Sequence, residues 1–266
     1  MNLNYLRYNL QYPFKAWKNK YLKRVTKKEA KAKDLYGQGI KEISEYTGEP
    51  LEVVKEKHHL GPEKEKNYEI FKDQKELCGS EVEDFYRDCY YYIYELPLWN
   101  AETNRPKYLG LITLPYIRRN KYTKVMDFGG GAGDLSIELA QNNLDVTYCD
   151  IGEPLINLAK WRFNRRNLPV KLVKGLDNVS DKFDCIFSFD AFEHISDLPV
   201  TLKKLVSRIK TGGSLIFSGA FSGGTLHLEQ NEKYNAFKDL DALMRSCGLT
   251  FQDRFAQFYF YKKLSS

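Results

Sequence analysis

No run in this 266-residue chain approaches the ~18–20 consecutive apolar residues of a membrane-spanning helix. The N-terminus lacks an apolar h-region between its basic residues and any cleavage site, so secretion is not expected and a cytoplasmic location is. The five cysteines, at 78, 89, 149, 185 and 247, make no CxxC pair and no Cys/His cluster. That pattern argues for reduced thiols and against a disulfide frame or a zinc site, and no metal is expected. Internal repeats and low-complexity tracts are absent. At 42% hydrophobic and 29% charged residues, the remainder reads as an ordinary globular chain.

Acidic residues are scarce in one place. Residues 1–33 hold ten Lys and Arg against Glu29 alone, in a chain whose overall charge is +6. The rest of the protein is therefore mildly acidic and carries a basic arm. Tyr5, Tyr8, Tyr12, Phe14, Trp17 and Tyr21 are interleaved with those bases. The arm is expected to be a helix that packs its aromatics on the core, with Pro13 at a helix start. Two other partners remain open for it: a membrane surface or a nucleic acid.

The most informative stretch is Val125-Met-Asp-Phe-Gly-Gly-Gly-Ala-Gly133. A short apolar strand runs into Asp127, glycines follow at 129, 130, 131 and 133, and a helical pattern starts at Asp134. Strand, glycine turn and helix make the ligand corner of a doubly wound α/β sheet. A dinucleotide site wants Gly-x-Gly-x-x-Gly, yet the third glycine would fall at Asp134. A carboxylate at the helix N-terminus disfavours a pyrophosphate and favours a cationic ligand. S-adenosylmethionine (SAM), with its ammonium and sulfonium, fits. Further strands are expected at 144–150, 170–177, 183–194 and 210–217. Asp150 lies 21 residues after Gly129, where an acid can accept both ribose hydroxyls.

These motifs, in this order, resemble the class I (Rossmann-like) SAM-dependent methyltransferases over residues 122–266. The resemblance implies a seven-stranded, mostly parallel α/β sheet with helices on both faces, its last two strands in 249–263 and one of them antiparallel. Residues 1–121 would form a helical N-terminal extension. It also implies cofactor contacts at Asp127, Phe128, Gly129, Gly130, Gly131, Gly133, Asp150, Ile151, Leu176, Asp177, Asp190 and Ala191. The implied function is methyl transfer from SAM to a small-molecule acceptor. A peripheral-membrane lipid methyltransferase and an RNA-binding or RNA-modifying protein are the alternatives.

Short helices are expected at 40–46, 50–58 and 62–71. Ser80-Glu-Val-Glu83 reads as a capping box. The helix after it sets Tyr86, Tyr90 and Tyr94 at i, i+4 spacing, with Tyr91 beside them and Trp99 beyond Pro97. This segment is the expected lid over the cofactor, because tyrosine offers an apolar wall with a polar tip. His194 leaves the fourth strand at the ligand edge, and its near-neutral pKa makes it the candidate base; a structural role is the alternative. His227, after the fifth strand, is a further candidate for lining the acceptor pocket.

Overall fold

The computed structural model describes residues 3–60, 79–221 and 227–264. Seven strands form one sheet: β1 (Lys124–Phe128), β2 (Asp145–Asp150), β3 (Lys171–Lys174), β4 (Phe183–Phe189), β5 (Ile209–Ser218), β6 (Leu249–Phe255) and β7 (Phe258–Lys263). Their order is β3-β2-β1-β4-β5-β7-β6. The pairs β1–β2, β1–β4, β2–β3 and β4–β5 are parallel; β7 runs antiparallel to both β5 and β6. This is the Rossmann-like fold the sequence implies. Strand order reverses between β1 and β4, so a crevice opens at their carboxyl ends, where open α/β sheets bind ligands.

The central strands are apolar without alternation because helices cover both faces. Met126, Ile186 and Leu215 pack with Leu202, Leu205, Leu240 and Met244 on one face. Val125, Phe187 and Ile216 pack with Tyr108, Leu109, Ile117 and Leu139 on the other.

The N-terminal half is helical: α1 (Leu3–Ala32), α2 (Leu35–Thr47), α3 (Leu51–Leu60), α4 (Gly79–Asp88), α5 (Tyr92–Thr103) and α6 (Arg105–Asn120). The helix expected at 62–71 and Cys78 lie outside the described residues. The sheet helices follow: α7 (Asp134–Gln141), α8 (Glu153–Arg165), α9 (Leu198–Ser207) and α10 (Phe237–Ser246).

Three expectations need correction. Pro13 lies inside α1 instead of starting it. Its ring removes one ladder bond, to the carbonyl of residue 9, and the exposure of this stretch lets water satisfy that carbonyl. Four of the arm's aromatics are not on the core: Tyr12, Phe14, Trp17 and Tyr21 are exposed, Phe14 by 64% and Trp17 by 61%. What α1 covers instead is the edge of the sheet. Asn4 Nδ2 donates to the Phe251 carbonyl at 3.1 Å, and Lys15 donates to the Arg254 carbonyl at 3.1 Å while pairing with Asp253. Finally, the tyrosine segment is two helices, α4 and α5, broken at Cys89–Tyr91. Its i, i+4 stripe therefore does not share one face. The capping-box glutamate, Glu83, accepts from the Ser196 hydroxyl at 2.6 Å.

Candidate active site

β1 ends at Phe128, and the chain turns through Gly129, Gly130 and Gly131 into Gly133, which caps α7 with φ 78°. A side chain on Gly133 would also strike the Phe163 ring at 2.8 Å, so helix packing and backbone conformation both demand glycine. The loop is tied to β2 by Gly129 N–H donating to the Cys149 carbonyl at 2.9 Å. The Tyr148 hydroxyl donates to the Gly131 carbonyl at 2.7 Å.

Asp127 is buried beneath this loop and accepts from the Ser136 hydroxyl at 2.7 Å. Burial pushes its pKa up to about 7, and the nearby Asp150 adds to the shift. The carboxylate at the helix N-terminus is Asp134, the first residue of α7. Asp150, at the end of β2, accepts N–H bonds from Gly131 at 2.8 Å, Ile151 at 2.7 Å and Gly152 at 2.9 Å. Burial raises its pKa and those three bonds oppose the rise. A carboxylate has about four lone-pair sites. Three are taken, which leaves roughly one for a ribose hydroxyl and makes Asp150 part of the loop's framework as well. The sequence implies a carboxylate that accepts both ribose hydroxyls; the three N–H bonds from Gly131, Ile151 and Gly152 do not follow from the spacing. Leu176 and Asp177 lie in a single turn of helix after β3. Leu176 packs on the core, while Asp177 points outward to Lys204 at 2.6 Å.

α4 and α5 lie directly over this corner. A Cβ on Gly152 would stand 2.9 Å from the Tyr86 carbonyl oxygen, and one on Gly131 3.3 Å from Leu96. Asn100 Nδ2 donates to Asp134 at 2.9 Å. The strongest tie was not anticipated. Arg162 donates to the Ala132 carbonyl at 2.6 Å, to Asp134 at 2.8 Å and to Glu42 of α2 at 3.3 Å. Burial opposes the guanidinium's charge, but Asp134 and Glu42 outweigh it and raise its pKa. A signal for this existed. Leu155, Leu158, Ala159 and Phe163 define the inner face of α8, and Arg162 falls on that face at helical spacing.

The tyrosines divide. The Tyr86 hydroxyl lies 3.1 Å from His194 Nδ1, and its ring stacks on Tyr92. Tyr91 is buried and donates to the His58 carbonyl at 3.0 Å. Tyr94 is buried and donates to Glu49 at 2.9 Å. Tyr90 and Trp99 are exposed, and Arg105 lies over the Trp99 ring.

At the carboxyl edge of β4, Asp190 takes up a left-handed φ of 54°. It pairs with Arg105 and accepts from the Ser218 hydroxyl at 2.8 Å. Ala191 sits against Gly129, where a Cβ would meet it at 2.7 Å. The turn Phe192–His194 follows. Glu193 is 2% exposed, and burial pushes its pKa up to about 7. His194 and His227 stand with ring centroids 5.0 Å apart. The structure therefore brings Tyr86, His194 and His227 together and adds Glu193, whose burial beside a polar turn gave no pattern in the sequence.

The Methyltransf_23 family model, a methyltransferase domain, matches residues 98–247. That is more than half of the chain, and the chain belongs to this family of class I SAM-dependent methyltransferases. The ubiquinone biosynthesis O-methyltransferase of Coxiella burnetii (strain RSA 493 / Nine Mile phase I) is 33% identical over 129 residues, 45% of this chain and 55% of that protein. Its namesake in Paramagnetospirillum magneticum is 31% identical over 100 residues, 36% of this chain and 39% of that protein. The chain spans about half the length, or less, of these curated relatives. Magnesium protoporphyrin IX methyltransferase from Synechocystis PCC 6803, solved with bound SAM, is 17% identical with a TM-score of 0.50, covering 71% of this chain and 99% of that one. That likeness concerns the fold alone.

Proposed function

We propose that this chain methylates a small-molecule acceptor held between α4 and the β4–β5 edge, with SAM bound at the glycine corner. The observation that carries this reading is Tyr86. Its carbonyl sits over Gly152 on the cofactor side, and its hydroxyl holds His194 on the opposite side. One residue of the overlying helix thus touches both halves of the crevice.

The donor set suits the cofactor. Asp150 keeps a lone pair for a ribose hydroxyl, Gly129–Gly133 leave the backbone open, and Phe128, Ile151 and Leu176 offer apolar surface to an adenine. Asp190 and Ala191 follow β4, Ala191 against Gly129, and the exposed Asp177 would have to leave Lys204 to reach the cofactor. SAM, when bound, supplies an already activated methyl group, so the protein's task is alignment and exclusion of water. Tyr86, Tyr91, Tyr94 and the α4–α5 segment serve exclusion. His194 and His227 face the acceptor, with Tyr90 and Trp99 at the solvent margin. The names of the curated relatives, both O-methyltransferases acting in ubiquinone biosynthesis, support a hydroxyl-bearing small molecule.

Titration calorimetry with SAM, its demethylated product and NAD tests the assignment. Binding of the first two and not of NAD is expected. Asp150→Asn should weaken SAM binding by about 1.5–3 kcal/mol, the worth of a hydrogen bond to a charged group. NAD binding without SAM binding would overturn the reading.

A second reading concerns where the acceptor is met. Phe14, Trp17 and Tyr21 are exposed on one face of α1, followed on that face by Arg24 and Lys28. Exposed aromatics beside bases suit an anionic membrane surface better than a core contact. Nucleic acid is the competing partner for the same charges.

A further inference from the structure

We propose that Glu193, His194 and His227 form a binding site for a divalent first-row transition metal, which takes the acceptor's hydroxyl oxygen as a further ligand. Each residue offers one ligand atom, and these atoms all lie within 4.8 Å of one another. Tetrahedral ligands at about 2.1 Å from a metal stand about 3.4 Å apart. Closing the cluster therefore needs side-chain shifts of at most about 1.4 Å.

The local backbone is built to hold the three together. Leu228 N–H donates to the Glu193 carbonyl at 3.1 Å, which fixes His227 beside the turn. The buried Asn231 donates to the Ile195 carbonyl at 2.9 Å and locks the turn from below. Glu193 Oε1 accepts from Ala220 N–H at 3.2 Å, whereas Oε2 is buried with no hydrogen-bond partner among the described residues. A buried carboxylate oxygen in that condition costs free energy unless something cationic satisfies it. Tyr86 on His194 Nδ1 is the kind of outer contact that orients metal-bound imidazoles.

Two imidazoles and one carboxylate suit a zinc-like ion and poorly suit magnesium or calcium, which prefer all-oxygen shells. Three protein ligands leave positions open, and the two histidines are only half-buried. An oxygen of the acceptor can occupy one of those positions. The metal then draws electron density from that oxygen, and the hydroxyl proton leaves to water, giving a metal-held oxyanion. A metal-bound His194 is a ligand and not a proton acceptor. This role rests on the methyl-transfer reading; the existence of the site does not.

The full chain is titrated with Zn²⁺ by calorimetry and with Co²⁺ by visible absorption, without cofactor or acceptor. One equivalent should bind, and Co²⁺ should show the intensified ligand-field bands of a low-coordinate nitrogen–oxygen site. Tyr86→Phe should weaken binding by about 10–100-fold, and His227→Ala by more. Glu193→Gln should abolish the Co²⁺ spectrum. Because Glu193 is buried, the half-exposed His227 supplies the variant least tied to folding. Unchanged stoichiometric binding in His227→Ala would overturn the site, as would an absence of saturable binding in the wild type. Loss of binding in a His58→Ala/His59→Ala variant would overturn it too, by placing the metal on α3. SAM affinity measured on the same metal-free samples separates the two proposals. SAM binding without metal binding removes only the metal site, and metal binding without SAM binding removes only the methyl-transfer reading.

Discussion

Two segments of the N-terminal half mix aromatics and charges at helical spacing, and they meet opposite fates. In α4, α5 and the turn between them, Phe85, Tyr91, Ile93 and Tyr94 are buried. In α1, Phe14, Trp17 and Tyr21 stand in solvent and stack on one another, at 6.1 and 5.6 Å between centroids. Spacing does not separate the cases. What separates them is the partner surface. α4 and α5 lie on the glycine loop and α8, where Arg162, Asn100 and Leu96 give both polar and apolar matches. α1 instead offers its polar side to the β6 edge, where the Phe251 and Arg254 carbonyls accept hydrogen bonds from Asn4 and Lys15. That choice turns its aromatic face outward.

The sharpest test of this contrast is the ion cluster beneath α5. Arg162→Ala leaves the buried Asp134 without its cation and Glu42 with Arg166 alone. Removing one partner from a buried network costs about 3–5 kcal/mol, and the lost Ala132 contact adds to it. Urea unfolding should show this full loss, and the glycine loop should loosen with it. A change below about 1 kcal/mol would mean that the N-terminal helices are held by apolar contacts alone.

Legibility followed the same divide. The corner from Val125 to Gly133 was readable because a turn with left-handed backbone accepts almost nothing but glycine, so the chemistry is local. The parallel strands were readable for a similar reason, since burial on both faces writes continuous apolar runs. Boundaries slipped where strand gives way to a short turn, as at Leu176 and Phe192. The segment 80–99 lies against the glycine corner as two helices instead of one, because the break at Cys89–Tyr91 has no glycine or proline to announce it. The Glu193–His227 meeting was hidden for a third reason: it depends on a loop return of more than thirty residues, which no spacing encodes.

A smaller test concerns the buried Tyr94 of α5. Its hydroxyl donates to Glu49, which also pairs with Lys57. Burial works to raise the Glu49 pKa, but Lys57 and Tyr94 prevail and lower it. A carboxylate with a depressed folded pKa stabilises above its unfolded value and loses that contribution as pH falls through the folded pKa. Tyr94→Phe should therefore cost about 1 kcal/mol near neutrality, and the cost should shrink in acid once Glu49 is protonated. Melting temperatures of both proteins between pH 7 and pH 3 would show it. A difference independent of pH would assign the effect to packing.

The smallest effect on stability is expected at the exposed face of α1. Replacing Phe14, Trp17 and Tyr21 together with alanine removes two ring stacks, but alanine is the better helix former. Surface substitutions of this kind usually stay within about 0.5 kcal/mol, and the three should leave the unfolding midpoint nearly unchanged. A loss of several kcal/mol would show that this aromatic face is covered in solution, and the contrast with α4 and α5 would collapse. The same variant tests the membrane reading. Wild-type protein should sediment with phosphatidylglycerol vesicles and the triple variant should not, because the rings supply the apolar insertion that the bases alone cannot. Equal vesicle binding by both, lost in moderate salt, would reduce α1 to a screened electrostatic contact. Preference for single-stranded RNA over vesicles, with a steep salt dependence, would instead give its bases to phosphates.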